Sequence, residues 1–268
     1  MKVKVLVVDV DGTLVNSNKQ ITEPVRQALI RVQEAGVKVV IASGRSVPGV
    51  MLMADKVDLA KYGGYILTCN GARITNVQTG EIIHDVCLPT ELIPEIHEFA
   101  KAHDINIMTY HNNQIVAETT ECPYINLDAV GCKINIHKVE DFTKEVTYPV
   151  NKCLLTGDPA RMAAIEEAGK KQFEGRISVY RSEEFYLEMM PLGVDKAFGL
   201  AALLKYLDCD RSELICCGDG FNDISMIEFA GLGVAMANAT EEVRSHADYV
   251  APSCDEDGLC DVIKRYIL

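Results

Sequence analysis

Five short apolar runs, three of them ending at an acid, a hydroxyl residue or a glycine, set the terms on which this chain can fold. Val3–Val8, Lys38–Ala42, Tyr65–Cys69, Leu214–Cys217 and Leu232–Met236 are near-continuous and rich in β-branched residues. Runs of that kind read as strands buried on both faces, the pattern of a parallel sheet covered by helices. Helical signals lie between them. Thr22 can cap a helix with Pro24 in its first turn, Val25, Ala28, Leu29 and Val32 make its apolar stripe, and Gly36 ends it. A second helix follows Ser46, and "RITNVQTGEIIHDV" reads as a hairpin turning near Gln78–Gly80. Strand–helix–strand alternation implies a parallel α/β sheet with right-handed crossovers.

The rhythm changes between Leu88 and Met189. A helix over Thr90–Ala102 leads to short strands at Ile105–Tyr110 and Ile115–Glu118, then to a less periodic stretch. A strand at Lys152–Thr156, a helix over Asp158–Phe173 and strands at Ile177–Arg181 and Phe185–Met190 complete an α+β unit of ordinary domain size. After "PLGVDK" the alternation resumes, with a helix over Lys196–Leu207 and strands at Leu214–Cys217, Leu232–Met236 and Tyr249–Ala251. The expected architecture is an α/β core made of residues 1–85 and 190–268, interrupted by an inserted α+β cap at 86–189.

Composition narrows the partners. The net charge of −13 argues against nucleic acid or an anionic membrane surface, yet leaves room for a small anion where a metal and a few cations reverse the sign locally. None of the ten cysteines forms a CxxC pair, and Cys69, Cys216 and Cys217 fall within apolar runs as buried thiols. A reducing cytoplasm is the expected location. No stretch approaches a membrane-spanning length. A monomer or small homo-oligomer is expected.

Chemistry is suggested where the strands end. Asp9 and Asp11 follow the first strand, Ser43 the second, and Asp219 and Asp223 flank the turn "GDGFND" after "LICC", with Asn222 beside them. Lys196 opens a helix whose amino terminus faces the same edge. Singly, each residue could equally end a strand, cap a turn or sit in solvent. Together they occupy the carboxyl ends of predicted parallel strands, which a parallel sheet brings into one crevice. Four acids, a hydroxyl, a lysine and an amide converging there call for a hard cation such as Mg²⁺ and an anionic ligand.

"DVDGTL", "IASGR", "VDKAFGL" and "GDGFND" stand in the order and spacing of the four motifs of haloacid-dehalogenase-type phosphatases, which the whole chain resembles. The insertion between the second and third motifs resembles the type-2 cap of Cof-like sugar-phosphate phosphatases. The resemblance implies a Rossmann-like, doubly wound parallel core and Mg²⁺-dependent hydrolysis of phosphate monoesters, sugar phosphates or similar small metabolites, through a phosphoaspartate. It further implies Asp9 as nucleophile and Asp11 as general acid/base. Mg²⁺ would be held by Asp9, Asp219 and the backbone carbonyl of Asp11, with Asp223 orienting from behind. The Val10 and Gly44 backbone, Ser43, Lys196 and Asn222 would hold the phosphoryl oxygens. The family commonly has Gly after the lysine; here it is Ala197. On this reading, repulsion between Asp9 and Asp11 helps keep Asp11 protonated until its proton is needed.

Two rivals share this chemistry. A phospho-acceptor receiver module needs about half this length and places its acceptor on an interior strand. A phosphomutase of the same superfamily, phosphomannomutase-like, generally has a longer fourth motif with more glycines than "GDGFND". The sequence leaves open the substrate, the cap residues that select it, and the roles of Arg45, Asn70 and His111.

Overall fold

Val5, Leu6, Val7 and Val8 are wholly withdrawn from solvent, and they can be so only with a strand on either side and helices on both faces. The computed structural model, which describes residues 2–268, supplies both. In chain order the strands are β1 (Val5–Asp9), β2 (Lys38–Ala42), β3 (Tyr65–Thr68), β4 (Arg73–Asn76) and β5 (Ile82–Asp85). The insertion adds β6 (Asn106–His111), β7 (Gln114–Ala117), β8 (Asn135–Lys138), β9 (Cys153–Thr156), β10 (Ile177–Glu183) and β11 (Tyr186–Pro191). The chain then returns with β12 (Leu214–Gly218), β13 (Leu232–Met236) and β14 (Tyr249–Ala251).

Two compact units result. One comprises the chain up to Arg45, Val50–His84 and Asp195–Leu268; the other comprises Asp85–Val194 with Ser46–Gly49. The first holds an eight-stranded sheet in the order β14-β13-β12-β1-β2-β3-β4-β5. From β14 through β3 the pairing is parallel, and the β3/β4 pair is antiparallel. Val5 and Val7 face Leu200, Leu203 and Leu204 of the Lys196–Leu207 helix. Successive strand residues point to opposite faces, so Leu6 and Val8 face the other layer. The Glu23–Glu34 helix is built as its sequence suggests: the Thr22 hydroxyl accepts the Val25 N–H, and Val25, Ala28, Leu29 and Val32 are buried.

The second unit holds a mixed six-stranded sheet in the order β10-β11-β9-β6-β7-β8, antiparallel except for β7 with β8. Its alternation is strict. Ile107, Val116, Leu155, Val179, Leu187 and Met189 pack with Phe99, Phe142, Met162 and Phe173, while Met108, Ile115, Ala117, Leu154 and Tyr186 pack with Ile125 and Ala129. The less periodic stretch before Lys152 contains a helix at Pro123–Cys132 as well as β8. That helix buries Ile125, Ala129 and Cys132 but leaves Leu127 and Val130 outside, 55% and 76% exposed, which blurs the apolar stripe. Only Ile136 of β8 is partly buried. A closing helix, Gly258–Tyr266, follows Asp257, which sits in left-handed backbone and does not cap it through its side chain. Among the described residues, no helix is long and apolar enough to cross a membrane.

Candidate active site

Parallel pairing puts the carboxyl ends of β1, β2 and β12 at one edge, in a register that sets Asp9 beside Ala42 and Val8 beside Cys217. The residues immediately beyond those ends are Val10–Thr13, Ser43–Arg45 and Asp219–Asp223. After β1 the chain turns tightly, with the Leu14 and Val15 N–H groups donating to the Asp9 and Val10 carbonyls. Gly12 has φ +78°, and a Cβ there would lie 2.0 Å from Asp219 Oδ2. Glycine is thus required both by the backbone and by the approach of the acid.

Lys196 joins two of the other predicted groups. It is fully buried, and its ammonium donates to Asp9 Oδ1 at 2.6 Å and very closely to Asp223 Oδ1. The Ala42 carbonyl lies 3.4 Å away as a third acceptor. Its helix is capped by Asp195, which accepts the Phe198 N–H at 2.8 Å. The helix start rests on the turn after β3: a Cβ on Gly71 would fall 2.0 Å from the Asp195 carbonyl oxygen, and one on Gly199 would fall 2.8 Å from the Gly71 carbonyl oxygen.

Asp223 is buried and fully engaged. Its Oδ2 accepts the Asp219 and Gly220 N–H groups at 3.0 and 2.8 Å, which leaves Oδ1 for Lys196. Asp219 is held from two sides, by the Thr13 hydroxyl at 2.9 Å on Oδ1 and the Asn238 amide at 3.1 Å on Oδ2. Asn238 also donates to the Gly12 carbonyl at 2.9 Å and accepts the Cys254 N–H at 3.0 Å. It ties the two acid-bearing turns together, and sequence reasoning missed it. The available signal was its position just past the end of β13, another parallel strand end.

One carboxylate oxygen from each of Asp9, Asp219 and Asp223 lies within 4.8 Å of the others. Three acids then share one lysine. Burial, reinforced by the charge of Asp223, pushes the Asp9 carboxyl well above the usual range, although Lys196 pulls it down. Burial likewise pushes Asp219 up to about 6, against the Thr13 hydrogen bond and with the Asp223 charge adding to it. Burial alone would lower the Lys196 ammonium, but the charges of Asp223 and Asp9 outweigh it and hold it above its ordinary value. An all-oxygen donor set with this surplus of negative charge fits a hard divalent cation. Asp9 and Asp219 have the spare acceptor capacity to hold it.

Asp11 stands apart from the other three acids. Burial would raise its carboxyl, but Arg45 and Lys19 outweigh that and hold it below the usual carboxylate range. Arg45 reaches both oxygens, Nε to Oδ2 and Nη2 to Oδ1, each at 2.9 Å; Lys19 reaches Oδ1 at 2.9 Å. The expectation that repulsion from Asp9 keeps Asp11 protonated is therefore corrected. Two cations sit on Asp11, and in this state it is ionised.

The remaining predicted residues form a small polar group. Ser43 is buried and its hydroxyl oxygen accepts the Arg45 N–H at 3.2 Å; its own N–H goes to the Leu67 carbonyl. Asn222 is exposed and donates to Asn70 Oδ1 at 3.0 Å. Asn70, buried with φ +50°, lies against Gly44, where a Cβ would come within 3.1 Å of its amide. His111 belongs to the other unit: it ends β6 at a tight hairpin of Asn112 and Asn113, both at positive φ, and stacks on Tyr148 with ring centroids 3.7 Å apart.

Comparison with known proteins agrees with this fold. A family model described as haloacid dehalogenase-like hydrolase matches residues 6–263. A haloacid dehalogenase-like hydrolase from Bacteroides thetaiotaomicron superposes with a TM-score of 0.94 at 42% identity, over 98% of this chain and 99% of that one. The 5-amino-6-(5-phospho-D-ribitylamino)uracil phosphatase YcsE of Bacillus subtilis is 28% identical over 99% of this chain and 96% of its own. A subclass IIB sugar phosphatase, BT4131, superposes with a TM-score of 0.81 at 22% identity over 98% of both chains, a likeness of fold.

Proposed function

The chain belongs to the haloacid dehalogenase-like hydrolases and is a phosphatase acting on small phosphorylated metabolites, and from that premise we propose that it hydrolyses sugar or polyol phosphates with Mg²⁺ through a phosphoaspartate on Asp9. The observation that carries the reading is the convergence of Asp9, Asp219 and Asp223 around one buried lysine at the carboxyl edge of a parallel sheet. The substrate class is supported by the B. subtilis relative, whose substrate bears its phosphate on a ribityl chain.

In the first step an Asp9 oxygen attacks phosphorus, the bond from phosphorus to the ester oxygen breaks, and Asp11, which must first take up a proton from solvent, gives it to the departing alkoxide. In the second, Asp11 takes a proton from water as that water attacks phosphorus, and the phosphorus–Asp9 bond breaks to release phosphate. The ionised Asp11 described above is the form suited to the second step. The Ser43 hydroxyl, the Gly44 and Val10 N–H groups, Lys196 and Asn222 supply donors for the phosphoryl oxygens. Asp223 keeps the Lys196 ammonium and the Asp219 turn in place. A divalent cation held by Asp9, Asp219 and the Asp11 carbonyl supplies charge that offsets the phosphoryl oxygens and the crowded acids.

The test is an acid quench during turnover of p-nitrophenyl phosphate, followed by peptide mapping of the phosphorylated residue. An adduct on Asp9, with Asp9→Asn inert, is the expected result. An adduct on Ser43, or appreciable turnover by Asp9→Asn, refutes the assignment. A panel of phosphorylated metabolites assayed for phosphate release then identifies the ester.

A further inference from the structure

Arg45 has no part in the reaction as drawn so far, yet it makes the most directional contact in the site. Its guanidinium meets the Asp11 carboxylate fork to fork, with 2.9 Å bonds to each oxygen. A bidentate arginine pair fixes the plane of a carboxylate as well as its distance. The arginine is itself fixed. Its N–H donates to the Ser43 hydroxyl oxygen at 3.2 Å and its carbonyl accepts the Cys69 N–H at 3.0 Å, so its backbone is bound to the ends of both β2 and β3. Lys19 differs in kind. It reaches only Oδ1, and its side chain is 68% exposed against 26% for Arg45.

We propose that Arg45 is a positioning residue for proton transfer, holding the Asp11 carboxyl in the plane from which Oδ1 meets the leaving-group oxygen, while Lys19 is the contact that the leaving group displaces. The proposal rests on the reading of Asp11 as the proton-transfer group. Oδ1 is singled out because Arg45 Nη2 shares it with the exposed Lys19, whereas among the described residues Oδ2 accepts from the arginine Nε alone. Lys19 is the more exposed of the two cations on Asp11, so its contact is the one a leaving group displaces more readily. A loose Asp11 would spend much of its time out of line, and misplacement of a general acid costs rate in proportion to how much the leaving group needs a proton.

That dependence is the test. Single-turnover phosphorylation is measured for the whole protein with Mg²⁺ on p-nitrophenyl phosphate, phenyl phosphate and ribose 5-phosphate, whose leaving groups need a proton increasingly. Wild type, Arg45→Ala, Arg45→Lys and Asp11→Asn are compared, with the Mg²⁺-induced shift of the urea midpoint as a check that the site remains built. For Arg45→Ala the expected loss grows along the series, from under about threefold on the nitrophenyl ester to about tenfold or more on the poorest leaving group, within the range that general acid catalysis spans. Arg45→Lys keeps the charge without the fork and should recover less than half of that loss on a logarithmic scale. Equal losses on all three esters, a rise in KM at constant kcat, or full rescue by lysine would overturn the positioning role. Asp11→Asn separates the two levels: if it retains the phosphorylation rate on poor leaving groups, the reading of Asp11 itself fails. If it loses that rate while Arg45→Ala does not, only the role of Arg45 fails.

Discussion

Removing divalent metal and raising the pH should unfold this protein more easily, and Asp219 sets the size of the effect. Its carboxyl titrates at about 6 in the fold against an ordinary 3.8. The difference corresponds to roughly 3 kcal/mol, an upper figure because one side of the carboxylate is open to water. A raised carboxyl means that the fold prefers the protonated form. Its contribution is therefore fully present below pH about 4 and is lost as the pH rises through about 6. Asp9, also raised, acts in the same direction. Many other acids titrate over this range, so the assay must isolate one. Urea unfolding from pH 4.5 to 8 in chelator, for wild type and Asp219→Asn, does so by difference. The asparagine variant pays a fixed cost for setting an amide against Asn238, but carries no ionisable group there. Its stability relative to wild type should rise by up to about 3 kcal/mol across the window. In saturating Mg²⁺ the wild-type decline should vanish, since a cation favours the ionised acids. Parallel curves for the two proteins in chelator would refute the account of Asp219.

Phosphate release should stop on chelation and return with Mg²⁺; full turnover with verified absence of metal would remove the cation from the proposal. Lys196→Met should cost about 3–5 kcal/mol in urea unfolding without metal, because two buried carboxylates lose their counter-charge, and a fall below about 1 kcal/mol would mean the pair is solvated. Asn238→Ala should weaken Mg²⁺ binding by about tenfold or more through loss of its hold on Asp219, which a metal titration followed by calorimetry would measure. Gly71→Ala, with φ +99° and its Cβ 2.0 Å from the Asp195 carbonyl oxygen, should destabilise by about 2–4 kcal/mol; a thermal shift of less than a degree would show that the helix start can yield.

What the sequence made legible was whatever leaves a local trace. The runs that became β1, β2, β3, β12 and β13 are buried on both faces and so carry no polar alternation, and all but the last run straight into a polar residue or a glycine. That placed Asp9, Ser43 and Asp219 at one edge without coordinates. Lys196 was legible by its place at a helix start. Long-range partners were not. Nothing near Asp11 in the chain points to Arg45, 34 residues on, as the group that holds it ionised, so an argument from its neighbour Asp9 alone reached the wrong protonation state. Asn238 was missed for a similar reason, since a polar residue after a strand is ordinary until its two acceptors, Gly12 and Asp219, are seen together. The Pro123–Cys132 helix was lost because apolar side chains lie on its outer face too.

The place of β1 in the sheet has a consequence for how the protein is made. β1 lies between β2, which follows it closely in the chain, and β12, which begins at Leu214. A ribosome adding about 5–20 residues per second needs roughly 10–40 s to pass from Asp9 to Asp219. Throughout that interval β1 has one neighbour and one bare edge, and Asp9 has neither Lys196 nor the Asp219 turn beside it. The Asp85–Val194 unit, with its own sheet, can fold meanwhile. The nascent chain thus carries a half-sheet with an open apolar strand for most of its synthesis, which is a standing opportunity for chaperones and a hazard when translation stalls. It also means that phosphatase activity appears late, when the last third of the chain closes the sheet.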